Sequence, residues 1–83
     1  MKATYPIVLI PDTNGYTVYI PDFDIYTQGA DLNEAIFMSC DAIDLVVVDM
    51  KENGKEIPLP RSVNDIKLKD GESLHFVEID FAF

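Results

Sequence analysis

The feature that most constrains this chain is a single change of hydrophobic period. Before Gly29 it is built of short β-forming runs. From Leu32 to about Glu52 the apolar residues recur at helical spacing, and beyond Gly54 that spacing does not return. One long amphipathic helix among strands must cover its apolar stripe with something, and a small sheet is the partner available. With 83 residues there is room for one such core, so residues 1–83 are expected to form a single domain.

The strands can be placed by their turns. Residues 5–10 run into Pro11-Asp12-Thr13-Asn14-Gly15, a strong turn cluster, and Tyr16, Val18 and Ile20 then share one face of a second run. The pair reads as an antiparallel hairpin with a turn of about five residues. Pro21-Asp22 ends the second strand, and Ile25-Tyr26-Thr27-Gln28 makes a short third one, closed by Gly29.

Asp31 is placed to cap the helix, with Glu34 at capping-box spacing, and Asn53-Gly54 supplies the stop. At about 100° per residue, Leu32, Ala35, Ile36, Cys40, Ile43, Val46, Val47 and Met50 fall on one broad face. Residues 56–62, with prolines at 58 and 60, read as an extended connector. Residues 74–83 read as the last strand, with His75, Val77, Ile79, Phe81 and Phe83 alternating with Phe76, Glu78, Asp80 and Ala82. The expected fold is α+β: an antiparallel β-β-β-α-β meander with one helix packed on the sheet.

Charge narrows the function. The net charge is −9, and from Ala3 to Met50 there is no Lys or Arg. Such a surface repels phosphate backbones and attracts a cationic partner, although acidity also serves solubility. Cys40 is the only cysteine, which leaves no internal disulfide and no cysteine-based metal cage. The first residues lack the order of a signal peptide, and the longest apolar run, Leu45-Val46-Val47-Val48, falls short of the roughly 18 residues of a membrane helix. A cytoplasmic protein is expected, with no membrane contact.

The segments Tyr5-Pro6-Ile7-Val8, Gly15-Tyr16-Thr17-Val18-Tyr19-Ile20-Pro21-Asp22-Phe23, residues 27–35 (TQGADLNEA) and residues 54–60 (GKEIPLP) resemble, in order and spacing, the HicB-type antitoxins of bacterial toxin–antitoxin systems. The resemblance implies a compact core related to part of a ribonuclease H fold. It also implies a partner: a small basic toxin ribonuclease (HicA-like) that cuts messenger RNA and that the antitoxin covers. Two departures stand out. Phe23-Asp24-Ile25-Tyr26 replaces the family's Pro-Gly-Cys-like turn. The family's usual C-terminal DNA-binding module has no counterpart in these residues, so operator binding and direct nucleic-acid contact are not carried over.

Several residues bear on a site. On the helix face opposite the apolar stripe, Phe37, Met38, Leu45 and Val48 stand among Glu34, Asp41, Asp44 and Glu52. Apolar groups with an acidic surround suit contact with a cationic protein. They would equally suit a homo-oligomer interface, or cover by the connector at residues 57–60. Asp12, Asp22 and Asp24 could attract the same partner from the turns, with Asp22 bonding nearby backbone. As a divalent-metal cluster they would imply a metal-dependent nuclease. His75 fits a sheet-edge residue better than a general acid–base, having no positioned partner. The leading expectation is a non-enzymatic antitoxin core without a cofactor. A stand-alone adaptor of the same fold is the alternative. Self-association would use the outer helix face or the last strand's edge.

Overall fold

A computed structural model of the chain describes residues 2–60 and 63–81. The elements follow the order β1 (Lys2–Asp12), β2 (Gly15–Ile20), β3 (Ile25–Gly29), α1 (Leu32–Glu52), a short 3₁₀ turn (Val63–Asp65) and β4 (Ser73–Asp80). The sheet is antiparallel throughout, in the order β3-β2-β1-β4. This is the α+β meander expected, with α1 over one face.

The β1–β2 turn is tighter than its composition suggests. Asp12 pairs with Gly15, leaving only Thr13 and Asn14 between the strands. The Asp12 carboxylate makes this possible: Oδ1 accepts the Asn14 N–H (2.8 Å) and Oδ2 accepts the Thr17 hydroxyl (3.1 Å). The strand β1 also begins earlier than expected, because Lys2 to Thr4 pair with Asp80 to Glu78 of β4.

Strand β1 is central yet contains Pro6 and Pro11. A proline has no N–H, so it survives in a ladder only where that bond would point away from a paired neighbour. Pro6 lies opposite Phe76 of β4, beyond the last β2 pair at Val8 and Tyr19. Pro11 lies opposite Tyr16 of β2, beyond the last β4 pair at Leu9 and Ser73. One alternation satisfies both: odd residues of β1 bond to β4 and even residues to β2. Each proline then aims its absent donor where the neighbouring ladder has ended.

The core lies between the sheet and α1. Tyr5, Ile7, Leu9, Val18, Ile20, Val77 and Ile79 come from the sheet, and Ala35, Ile43 and Val47 from the helix. The buried helix row also includes Ser39, whose hydroxyl donates to the Ala35 carbonyl (2.7 Å), so its polar atom is satisfied within the helix. Leu32, expected on this face, is the first residue of the helix and is 42% exposed.

Both helix ends are capped. Asp31 Oδ1 accepts the Glu34 N–H (2.8 Å), and Glu34 Oε1 reaches back to the Ala30 N–H (2.9 Å), one residue beyond the usual box. At the other end Gly54 takes φ +68°. Its N–H donates to Lys51, and that of Lys55 donates to Met50, the paired bonds of a Schellman motif.

Beyond the helix the chain changes face. Ile57 packs on the core, and the Tyr5 hydroxyl donates to the Pro58 carbonyl (2.8 Å). Asp65 to Lys67 and Lys69 then line a cleft with Val8, Ile10, Tyr19 and Tyr26 on the opposite side of the sheet. The sequence reading gave this stretch no 3₁₀ turn and no role in covering that side. Arg61 and Ser62 of the expected connector, and Ala82 and Phe83 of the expected last strand, lie outside the described residues. No helix among the described residues is long and apolar enough to cross a membrane.

Candidate protein-interaction surface

Helix α1 presents a mixed acidic and apolar outer face. Phe37 is 69% exposed, Leu45 66% and Val48 54%, with Asp41 and Asp44 exposed between them. Their spacing puts Phe37, Asp41, Asp44 and Val48 in one line along the helix. The connector expected as a possible cover leaves these three apolar side chains open. Met38, expected among them, is half-buried at the flank. Glu34 is exposed but engaged in the cap, so it holds the first turn as well as adding charge.

The turn acids have separate surroundings. Asp12 is exposed and organises the β1–β2 turn. Asp24 takes φ +52° and accepts the Tyr19 hydroxyl at Oδ1 (2.9 Å). Asp22 departs from the expected solvated, backbone-bonding turn residue. It is half-buried, and its Oδ2 is buried with no hydrogen-bond partner among the described residues. The turn itself closes through backbone bonds, Phe23 N–H to Ile20 and Asp24 N–H to Pro21. Burial first, and the Asp22 charge second, raise the Tyr5 hydroxyl above its ordinary pKa. Burial and then Asp44 likewise raise the half-buried Cys40 thiol. Among the described residues, no group of three or more His, Cys, Asp or Glu side chains converges as a metal site would.

His75 is half-buried on the edge strand β4, with Nε2 3.0 Å from the Ser73 hydroxyl. Two further surface features were not foreseen from sequence. The cleft on the far side of the sheet carries the neighbouring rings of Tyr19 and Tyr26, tilted by 33° with centroids 4.8 Å apart. An acidic hollow is bounded by Asp12, Asn14, Tyr16, Gln28 and Glu34. Both depend on segments distant in sequence meeting, which no local pattern reports.

The glycines in the segments that carried the resemblance have a steric role. A Cβ on Gly29 would lie 2.6 Å from Ala35 Cα, and one on Gly15 would lie 2.7 Å from Ala30 Cα. The backbone of β2, the end of β3 and the first turn of α1 stack directly on one another there. Gly15 also takes φ +132°.

These elements define a two-layer α+β domain with one acidic, apolar-studded helix face turned to solvent. The HicB-like antitoxin of bacterial toxin–antitoxin systems matches residues 5–82, and the chain belongs to that family. Two solved structures are similar. One is a toxin–antitoxin complex from Streptococcus pneumoniae, with TM-score 0.85 and 26% identity over 96% of this chain and 70% of that one. The other is a HicA3 and HicB3 toxin–antitoxin complex, with TM-score 0.76 and 25% identity over 93% of this chain and 98% of that one. No curated protein matches the sequence.

Proposed function

We propose that this chain is an antitoxin core that binds a small basic toxin ribonuclease of the HicA type and covers its active surface. In this reading the outer face of α1 is the docking surface. The observation that carries it is the exposure of Phe37, Leu45 and Val48 within a rim of Asp41 and Asp44 on a chain of net charge −9. Asp12, Asp22 and Asp24 add to the field that draws in the cationic partner, and the apolar side chains set how long it stays. The similar chains come from toxin–antitoxin complexes, which supports a protein partner. The chain acts by occupancy in the cytoplasm and supplies no catalytic group.

The test is titration of a HicA-type toxin with this chain, read by cleavage of messenger RNA. The chain is expected to inhibit at a stoichiometric ratio. Phe37→Glu removes a side chain whose burial contributes about 2 kcal/mol, so the dissociation constant rises roughly thirtyfold or more while circular dichroism is unchanged. If Phe37→Glu and Val48→Asp both inhibit like the parent, the docking face is elsewhere.

A further inference from the structure

We infer that the outer face of α1 receives a helix of the partner, a basic amphipathic one carrying two cations a turn apart between two apolar residues. The inference rests on the proposal that this face is the docking surface. It adds which element fits there, and why a second copy of this chain does not. Phe37, Asp41, Asp44 and Val48 are all exposed and follow one another at steps of four, three and four residues. From Phe37 to Val48 the helix completes three turns to within about 20°, so the stripe runs straight along the axis. Its steps are about 6, 4.5 and 6 Å along that axis. A helix laid alongside repeats the same steps on its own face, so each of its side chains meets one of the four. A strand offers same-face side chains about every 6.7 Å. Started at Phe37, its third side chain lies about 13 Å on and falls midway between Asp44 and Val48.

Charge decides whose helix it is. The stripe has its apolar side chains at the two ends and its carboxylates at the centre. A second copy laid antiparallel, with Phe37 on Val48, sets Asp41 against Asp44 twice. Laid parallel, each carboxylate meets its own counterpart. Either direction gathers four carboxylates at the middle of the contact, between chains that each carry a net charge of −9. Like charges so placed oppose the pairing. A foreign helix with two lysines or arginines one turn apart reverses this, setting one cation against each carboxylate. Its flanking apolar residues then cover Phe37 and Val48, and Leu45 widens the apolar margin on one side. The stripe is also free of structural duty. Ala35, Ser39, Ile43 and Val47 are the buried residues that hold α1 to the sheet, so the outer face can be filled or altered without unpacking the core.

The probe is an alanine-rich helical peptide with two arginines one turn apart between two leucines, at the spacing of the stripe, titrated into the full chain by calorimetry. One control peptide exchanges the arginine and leucine positions, and another carries central prolines that keep it extended. The chain is expected to bind the first peptide roughly tenfold or more tighter than either control. Asp41→Lys combined with Asp44→Lys is expected to lose that peptide and to gain the one with two glutamates in place of the arginines, with circular dichroism unchanged. Equal binding of either control, or no binding of the helical peptide, overturns the inference. So does a dimer of the chain that Phe37→Glu disperses, since a second copy then occupies the face. Toxin inhibition reads the docking proposal separately. A chain that inhibits the toxin, loses inhibition in Phe37→Glu and ignores the helical peptide keeps that proposal and overturns the helix. Peptide binding abolished by Phe37→Glu, with toxin inhibition at the parent level, upholds the helix-receiving face and moves the toxin off it.

Discussion

Gly29 is where the backbone of a strand meets the backbone of a helix with no side chain between them. An added methyl has no flexible neighbour to push aside, since the atoms it meets are Ala35 Cα and the Glu34 carbonyl carbon. Gly29→Ala is therefore expected to destabilise the fold by about 3 kcal/mol or more, read by denaturant titration. Gly54→Ala, where a Cβ meets nothing within 4 Å, should suffer only the conformational penalty of φ +68°, about 1 kcal/mol. A similar loss at the two positions would contradict the close approach. Sequence marked Gly29 only as a strand terminator, because a tertiary contact gives no local signal. Ser39 was missed for a related reason: a hydroxyl spent on its own helix can enter an apolar row that polarity alone would deny it.

The bounds of α1 were legible residue by residue, since both ends are set by groups within a few residues of the cap. Asp31→Ala removes the acceptor for the Glu34 N–H and is expected to cost about 1 kcal/mol of stability, measured by thermal unfolding. If Asp31→Ala proves neutral, the Glu34 bond to Ala30 alone suffices to hold the first turn. Strand β1 was harder to read. Its first residues are strand only because β4, more than seventy residues later, pairs with them. Residues 56–60 and 63–72 were harder still, being placed by contacts on both faces of the sheet and by no period of their own. The apolar helix face was legible because wheel geometry needs no tertiary information.

At the scale of the molecule, the acids and the exposed apolar groups divide the surface. The helix side carries Asp41, Asp44, Phe37, Leu45 and Val48, while the edge of β4 presents Leu74 and Phe76. If a basic toxin docks on the helix side, its association rate should fall steeply with added salt while its dissociation rate changes little. Stopped-flow mixing across ionic strengths measures this, and a salt-independent association rate would remove the electrostatic part of the proposal. The whole arrangement depends on β1 lying in one alignment. Its two prolines sit five positions apart, hence on opposite parities, and each occupies a place where the adjoining ladder has run out. Sliding β1 by one step would push both into paired positions and forfeit a bond on each side, besides turning Tyr5, Ile7 and Leu9 toward water. The prolines thus act as a lock against misthreading: the correct fold accommodates both, and its nearest competitor accommodates neither.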